Sequence, residues 1–231
     1  MVGAAEEAQL NRLENQVDNG GGGAWEYLCL VRKLKARRPD KVLKHGLSIL
    51  NNPKARSNLG TEEWTLYEQV AIAAMDCQRV DIAKDCISVL SNKFPGSTRV
   101  GRLEGMLLEA NGAWADAETT YRRLLEENPN DQVVQKRMIA MAKALGNIST
   151  AVEYLNKYLE IYMADQDAWR ELAEIYVSLQ MYKQAAYCYE ELILCQPTVP
   201  LHHLAYAEAS SLYYGWIGKS TNGKKILCFC H

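Results

Sequence analysis

Strand signals are missing from this sequence: no run alternates Val, Ile or Thr with polar residues, which argues against a sheet. Proline is scarce, at 6 of 231 residues, and 7 of the 15 glycines precede residue 61, so long stretches lack both helix breakers. No excess of one charge sign exists: 26 Lys and Arg against 28 Asp and Glu give −2. That balance argues against a general nucleic-acid binder or a protein drawn electrostatically to a membrane surface. No apolar run approaches the ~18 residues that a membrane-spanning helix needs. Residues 1–23 lack the apolar centre of a secretory signal. Seven cysteines, an odd number, argue against a closed disulfide framework. Cys77, Cys86, Cys188 and Cys195 lie in helical patterns as small apolar residues, which fits a reducing compartment. These absences predict a soluble protein, or one held at a membrane by a partner.

What is present is 48% hydrophobic and 23% charged residues, an ordinary globular composition. Residues 1–23 end in a run of four glycines, Gly20 to Gly23, and read as a flexible tail. Residues 24–63 read as a divergent helix pair and loop, with Pro39 opening the second helix and 51–63 a polar turn region. Thr61 before Glu62 and Glu63 reads as a helix start, its hydroxyl placed to cap a free N–H.

The strongest signal is an internal repeat. Aligned to itself at an offset of 34 residues, the chain places Ala83, Ala117, Ala151 and Ala185 in one column. Ile87, Tyr121, Leu155 and Tyr189 fall four residues on, and Leu90, Leu124, Tyr158 and Leu192 three beyond those. Pro95, Pro129 and Pro197 share a column in which Met163 fills the remaining place. Upstream, Tyr67 aligns with Trp169, Val70 with Met138 and Leu172, and Ala71 with Gly105, Ile139 and Ala173. Ala74, Leu108, Ala142 and Tyr176 form the next column. Four units follow without insertion, 64–97, 98–131, 132–165 and 166–199. Residues 200–214 start an incomplete fifth, and 215–231 read as an atypical tail.

Spacings of three and four put one face of each helix inward, and small residues let paired backbones approach. The column proline marks the break after the second helix. No such pair buries its apolar face alone, so neighbours must stack. The columns resemble the tetratricopeptide repeat (TPR), most fully in Trp169, Leu172, Ala173, Tyr176, Ala185, Tyr189, Leu192 and Pro197. The resemblance implies an all-α, right-handed superhelical solenoid of antiparallel helix pairs.

Longer strings are similar to a narrower family, subunit 2 of the endoplasmic reticulum membrane protein complex. They are residues 64–70 (WTLYEQV), 94–106 (FPGSTRVGRLEGM) and 165–176 (DQDAWRELAEIY), within a similarity spanning about residues 25–209. The sequence resembles a plant member more than an animal one. The resemblance implies a non-enzymatic scaffold without cofactors, peripheral on the cytosolic face of the endoplasmic reticulum. Such a scaffold works in a hetero-oligomer with the complex's other subunits. It holds cytosolic segments of membrane-spanning subunits and supports insertion of tail-anchored and multi-pass proteins. It also implies further helices, so residues 210–231 are expected to be an atypical, truncated end. The alternative is a free-standing TPR adaptor for an unknown peptide.

Catalytic and metal-binding readings are weak. Gly218-Lys219-Ser220-Thr221 resembles the end of a phosphate-binding loop, but Tyr213 stands where a glycine is required. Cys228, Cys230 and His231 lack a second ligand cluster for a metal. His45, His202 and His203 have no nucleophile or paired acid at a fitting spacing and are expected to be solvated or partly packed. The first helices of successive units line the concave face of such a solenoid. The register predicts Arg99, Arg102, Lys136, Arg137 and Lys143 there as a basic, partner-binding centre. Glu68, Asp76, Asp167, Glu171 and Glu174 would flank it. The carboxylate clamp of chaperone-binding TPR adaptors is not expected. Its Lys and Asn columns hold Glu68, Ile72, Leu103, Val133 and Arg137, or, one unit on, Arg102, Met106, Arg137, Asp167 and Glu171.

Overall fold

The computed structural model describes residues 4–220, which form thirteen helices with no strand among them. The chain divides into two compact units, Met1–Pro129 and Asn130–His231. Helices α1 to α8 belong to the first and α9 to α13 to the second.

The 34-residue phase is written directly into the helix starts. The first helices α7 (Thr98–Ala110), α9 (Gln132–Ala144) and α11 (Gln166–Ser178) begin at 98, 132 and 166, and α13 (Pro200–Ser220) begins at 200. Their partners α6 (Val80–Lys93), α8 (Trp114–Glu127), α10 (Ile148–Ile161) and α12 (Tyr182–Cys195) begin at 80, 114, 148 and 182. The turn inside each pair shares one conformation. Gln78, Gly112, Gly146 and Gln180, one column of the repeat, all take φ between 57° and 74°. The following N–H then reaches back to close the helix: Arg79 to Ala74 O at 2.7 Å, Ala113 to Leu108 O at 2.9 Å, Asn147 to Ala142 O at 2.9 Å and Met181 to Tyr176 O at 2.8 Å. This is the Schellman ending, which leaves the helix through a left-handed residue.

The alanine column sits where backbones meet. Ala83, Ala117, Ala151 and Ala185 are all fully buried. Around them Tyr121, Leu155, Leu192, Ala71 and Ala173 are also fully buried. Tyr67 and Tyr189 are half-buried, while Trp169 and Tyr176 are buried. Pro95, Pro129 and Pro197 each stand two residues beyond the end of α6, α8 and α12. At Gly105 the approach is closest: an added Cβ would overlap Cε1 of Tyr121 and lie 2.7 Å from its Cζ.

In the first unit, the flexible tail expected over 1–23 is instead a helix, α1 (Ala4–Asp18). Leu10, Leu13 and Val17 recur at three- and four-residue spacing, and Leu10 and Val17 are buried in the core of this unit. Polar contacts fix α1 as well. Tyr27 Oη, on α2 (Ala24–Leu34), donates to Glu14 at 2.9 Å, and Arg38 Nη1 pairs with the same carboxylate at 2.7 Å. Asp18 accepts from Lys41 and Lys44 on α3 (Pro39–Leu50). The glycines mark the bend between α1 and α2. Within 51–63, read as a turn region, Asn52 caps a short α4 (Pro53–Ser57) by accepting from the N–H groups of Lys54 and Ala55. Thr61 does precede α5 (Glu62–Asp76), but its side chain makes no cap bond, so that expectation fails. Helix α5 packs on α3 and α6, and α7 on α5, α6 and α8.

In the second unit α9 pairs with α10, α11 packs on both α10 and α12, and α13 lies on α12. Asp131 and Asp165 cap α9 and α11, accepting from Val133 and Val134 N–H and from Ala168 N–H respectively. Helix α13 buries His202 and Ala209 and runs unbroken to Ser220, across the boundary drawn between 214 and the tail at 215.

Candidate functional site

The five predicted partner-binding cations fall on two first helices, Arg99 and Arg102 on α7 of the first unit, and Lys136, Arg137 and Lys143 on α9 of the second. Arg102 and Arg137 are half-buried, and the other three are exposed. The expected basic centre with separate acidic flanks is replaced by cross-linking between successive first helices. Arg99 grips Glu68 with two nitrogens, Nη2 at 2.6 Å and Nε at 3.1 Å. Lys143 pairs with Glu171, and Lys136 with Asp165 at 2.6 Å. An acid and a base facing each other at repeat spacing attract locally, so the charge is largely cancelled within the stack. Exposed pairs of this kind contribute only ~0.2–1 kcal/mol each.

The Lys136 pair is part of a larger network. Tyr158 Oη donates to Asp165 at 2.5 Å and accepts from Gln132 Nε2 at 2.7 Å. Burial pushes the Asp165 carboxyl upward. The bonds from Lys136, Tyr158 and the Ala168 N–H outweigh it and hold the group below its ordinary value. The network therefore fixes a helix start and a neighbouring repeat together.

Sequence reasoning missed a cleft of about 320 Å³ in the first unit, between the start of α5, the end of α6 and the start of α7. Its apolar walls are Trp64 and Phe94, whose rings meet edge to face at 5.5 Å. Its signal was in the columns: Trp64 aligns with Thr98, Gln132 and Gln166, and Phe94 with Asn128, Tyr162 and Gln196. The second unit holds a cleft of about 380 Å³ walled by Trp169 and Tyr187, with rings 6.0 Å apart.

Chemically reactive groupings are absent among the described residues. No group of three His, Cys, Asp or Glu is placed to hold a metal, and no helix is long and apolar enough to cross a membrane. Burial pushes the Cys86 thiol up to about 11 and Cys188 up to about 12, well away from a reactive thiolate. Two of the three histidines are more deeply packed than expected. His45 is buried with Nε2 3.2 Å from Asp18, and His202, on α13, is buried, while Nε2 of His203 lies 2.8 Å from Pro197 O. Gly218 to Ser220 continue α13, and Thr221, Cys228, Cys230 and His231 lie outside the described residues.

Residues 81–222 match the family model described as the EMC2 TPR-like repeat domain. The match runs to residue 222, so the segment 215–231, read as an atypical tail, begins inside it. The chain is 43% identical over 177 residues to ER membrane protein complex subunit 2-A of Xenopus laevis, covering 77% of this chain and 59% of that protein. It is 34% identical over 203 residues to ER membrane protein complex subunit 2 of Dictyostelium discoideum, covering 85% and 63%. The chain thus spans less than two thirds of the length of these relatives. Among solved structures, the C-terminal part of a TPR repeat-containing protein from Cytophaga hutchinsonii superposes with a TM-score of 0.57. That comparison has 16% identity and covers 80% of this chain and 72% of the other. It shows the TPR fold and nothing further.

Proposed function

This chain belongs to the family defined by the EMC2 TPR-like repeat domain, and from that premise we propose that it is a non-catalytic scaffold subunit of a membrane-protein insertion complex. It sits on the cytosolic face of the endoplasmic reticulum, attached through partners. Its stacked first helices hold cytosolic segments of membrane-spanning subunits and so support insertion of tail-anchored and multi-pass proteins. The observation that carries this reading is the family match over residues 81–222. The chemistry of the surface is in keeping with it. Nucleic-acid binding draws on uncompensated cations that displace counterions, whereas Arg99, Lys136 and Lys143 are each answered by a carboxylate of a neighbouring element.

The test is a native pull-down of the chain from its source cells, read by mass spectrometry, with the double substitution Arg102→Glu and Arg137→Glu beside it. The scaffold reading expects membrane-spanning insertion subunits with the unaltered chain. It expects fewer with the double variant, at unchanged helix content. Recovery of none by the unaltered chain overturns the reading in favour of a free-standing peptide adaptor. Equal recovery by both forms removes these arginines from the binding surface.

A further inference from the structure

We propose that the cleft at the start of α7 is a docking pocket for an apolar side chain with a carboxylate beside it, presented by a segment of a partner protein. The inference rests on the scaffold reading and names the chemistry of one segment such a scaffold holds.

The apolar half follows from the walls. Leu90, Val100 and Leu103 form a floor no more than 6% exposed, while Phe94 at the mouth is 39% exposed. Trp64 and Phe94 meet at a right angle and leave ring surface facing the opening. An aliphatic or aromatic side chain seated there would cover that surface.

The acidic half follows from charge. Lys93 holds its ammonium 5.3 Å above the Trp64 ring and has no carboxylate partner among the described residues. Three carboxylates of α5 are already engaged: Glu62 by Arg32, Glu63 by Arg56 and Glu68 by Arg99. Three hydroxyls lining the cleft, those of Thr61, Thr65 and Ser97, make no hydrogen bond among the described residues. The cleft thus holds unused hydroxyls, and one of its wall rings carries a cation with no carboxylate partner among the described residues.

The repeat itself shows what this position lacks. Ser97 shares a column with Asp131 and Asp165, whose carboxylates cap α9 and α11, yet Ser97 caps nothing. Leu90 shares a column with Tyr158, whose hydroxyl donates to Asp165. Two later units carry their own carboxylate at this place. Here there is an apolar cleft in its stead, with a cation at its edge.

The experiment uses the purified full chain and a fluorescein-labelled Ser-Gly-Leu-Asp-Gly-Ser peptide followed by anisotropy. Companion peptides carry Asn for Asp, or Ser for Leu. The proposal expects the parent peptide to bind and either companion to bind at least about tenfold more weakly. Ser97→Asp supplies the missing carboxylate from within the chain. It is expected to raise the melting temperature and weaken the parent peptide about tenfold. Lys93→Gln, at an exposed position, is expected to weaken the parent peptide and leave the Asn peptide unchanged. No binding of the parent peptide, equal binding of the Asn peptide, or binding indifferent to Ser97→Asp overturns the proposal. Failure of the scaffold reading looks different: the peptide binds in the cleft while the native chain recovers no membrane-spanning subunit.

Discussion

Gly105 and Tyr121 occupy one space: the absent side chain of the first is filled by the ring of the second. Tyr121 is fully buried and its hydroxyl donates to Glu109, so the ring cannot swing aside. Gly105→Ala is therefore expected to destabilise the first unit by about 1–3 kcal/mol, through overpacking. Urea unfolding followed by circular dichroism checks it. An unchanged midpoint would mean that α7 and α8 are farther apart than described.

Helix α1 contributes to the core, so its removal must register in stability. Leu10→Ala is expected to cost about 2–5 kcal/mol, the usual loss for a buried leucine. A flexible tail would give no change in the same denaturation curve.

Asp18 ties α1 to α3 and should make that attachment sensitive to acid. Hydrogen bonds from Lys41 and Lys44 lower its carboxyl to about 2. Its folded value lies below the unfolded one, so its stabilisation is present above about pH 4. It is lost as the pH falls toward 2. The facing groups are Lys41, Lys44 and His45, with Glu14 and Arg38 alongside. Amide exchange in α1 should quicken over that interval, and Asp18→Asn should abolish the acid dependence while quickening exchange at neutral pH.

Gln78 and Gln180 hold left-handed turns that Gly112 and Gly146 hold in the other two repeats. A residue with a Cβ is strained there. Gln180→Gly is expected to gain about 0.5–1 kcal/mol, read as a rise in unfolding midpoint. Gly146→Gln should lose a similar amount.

Asp165→Ala removes the α11 cap and the partner of both Lys136 and Tyr158. A loss of about 1–2 kcal/mol is expected in thermal unfolding, with Lys136 itself, being exposed, adding little.

The repeat was legible because its columns report a physical need that recurs every 34 residues. Ala83, Ala117, Ala151 and Ala185 mark backbone contact, and all four are buried. Helix α1 was also written in the sequence, through Leu10, Leu13 and Val17, but the glycine run after it drew the segment into a tail. The charged surface was less legible. Register places Arg99 and Glu68 on first helices, yet whether they meet depends on how far one helix is displaced along the next. The Trp64–Phe94 cleft needed a different comparison: not what the columns share, but which residues depart from them.

Helix α1 gives the first unit a polar outer surface. It lays Leu10 and Val17 inward and leaves Glu7, Gln9 and Arg12 outside, so the face beyond it is wet and charged. In the second unit, α13 leaves Leu201 68% and Leu204 56% exposed, in columns that hold Asp167 and Arg170 one repeat earlier. Each helix thus meets solvent differently within its own unit, α1 with charge and α13 with hydrocarbon.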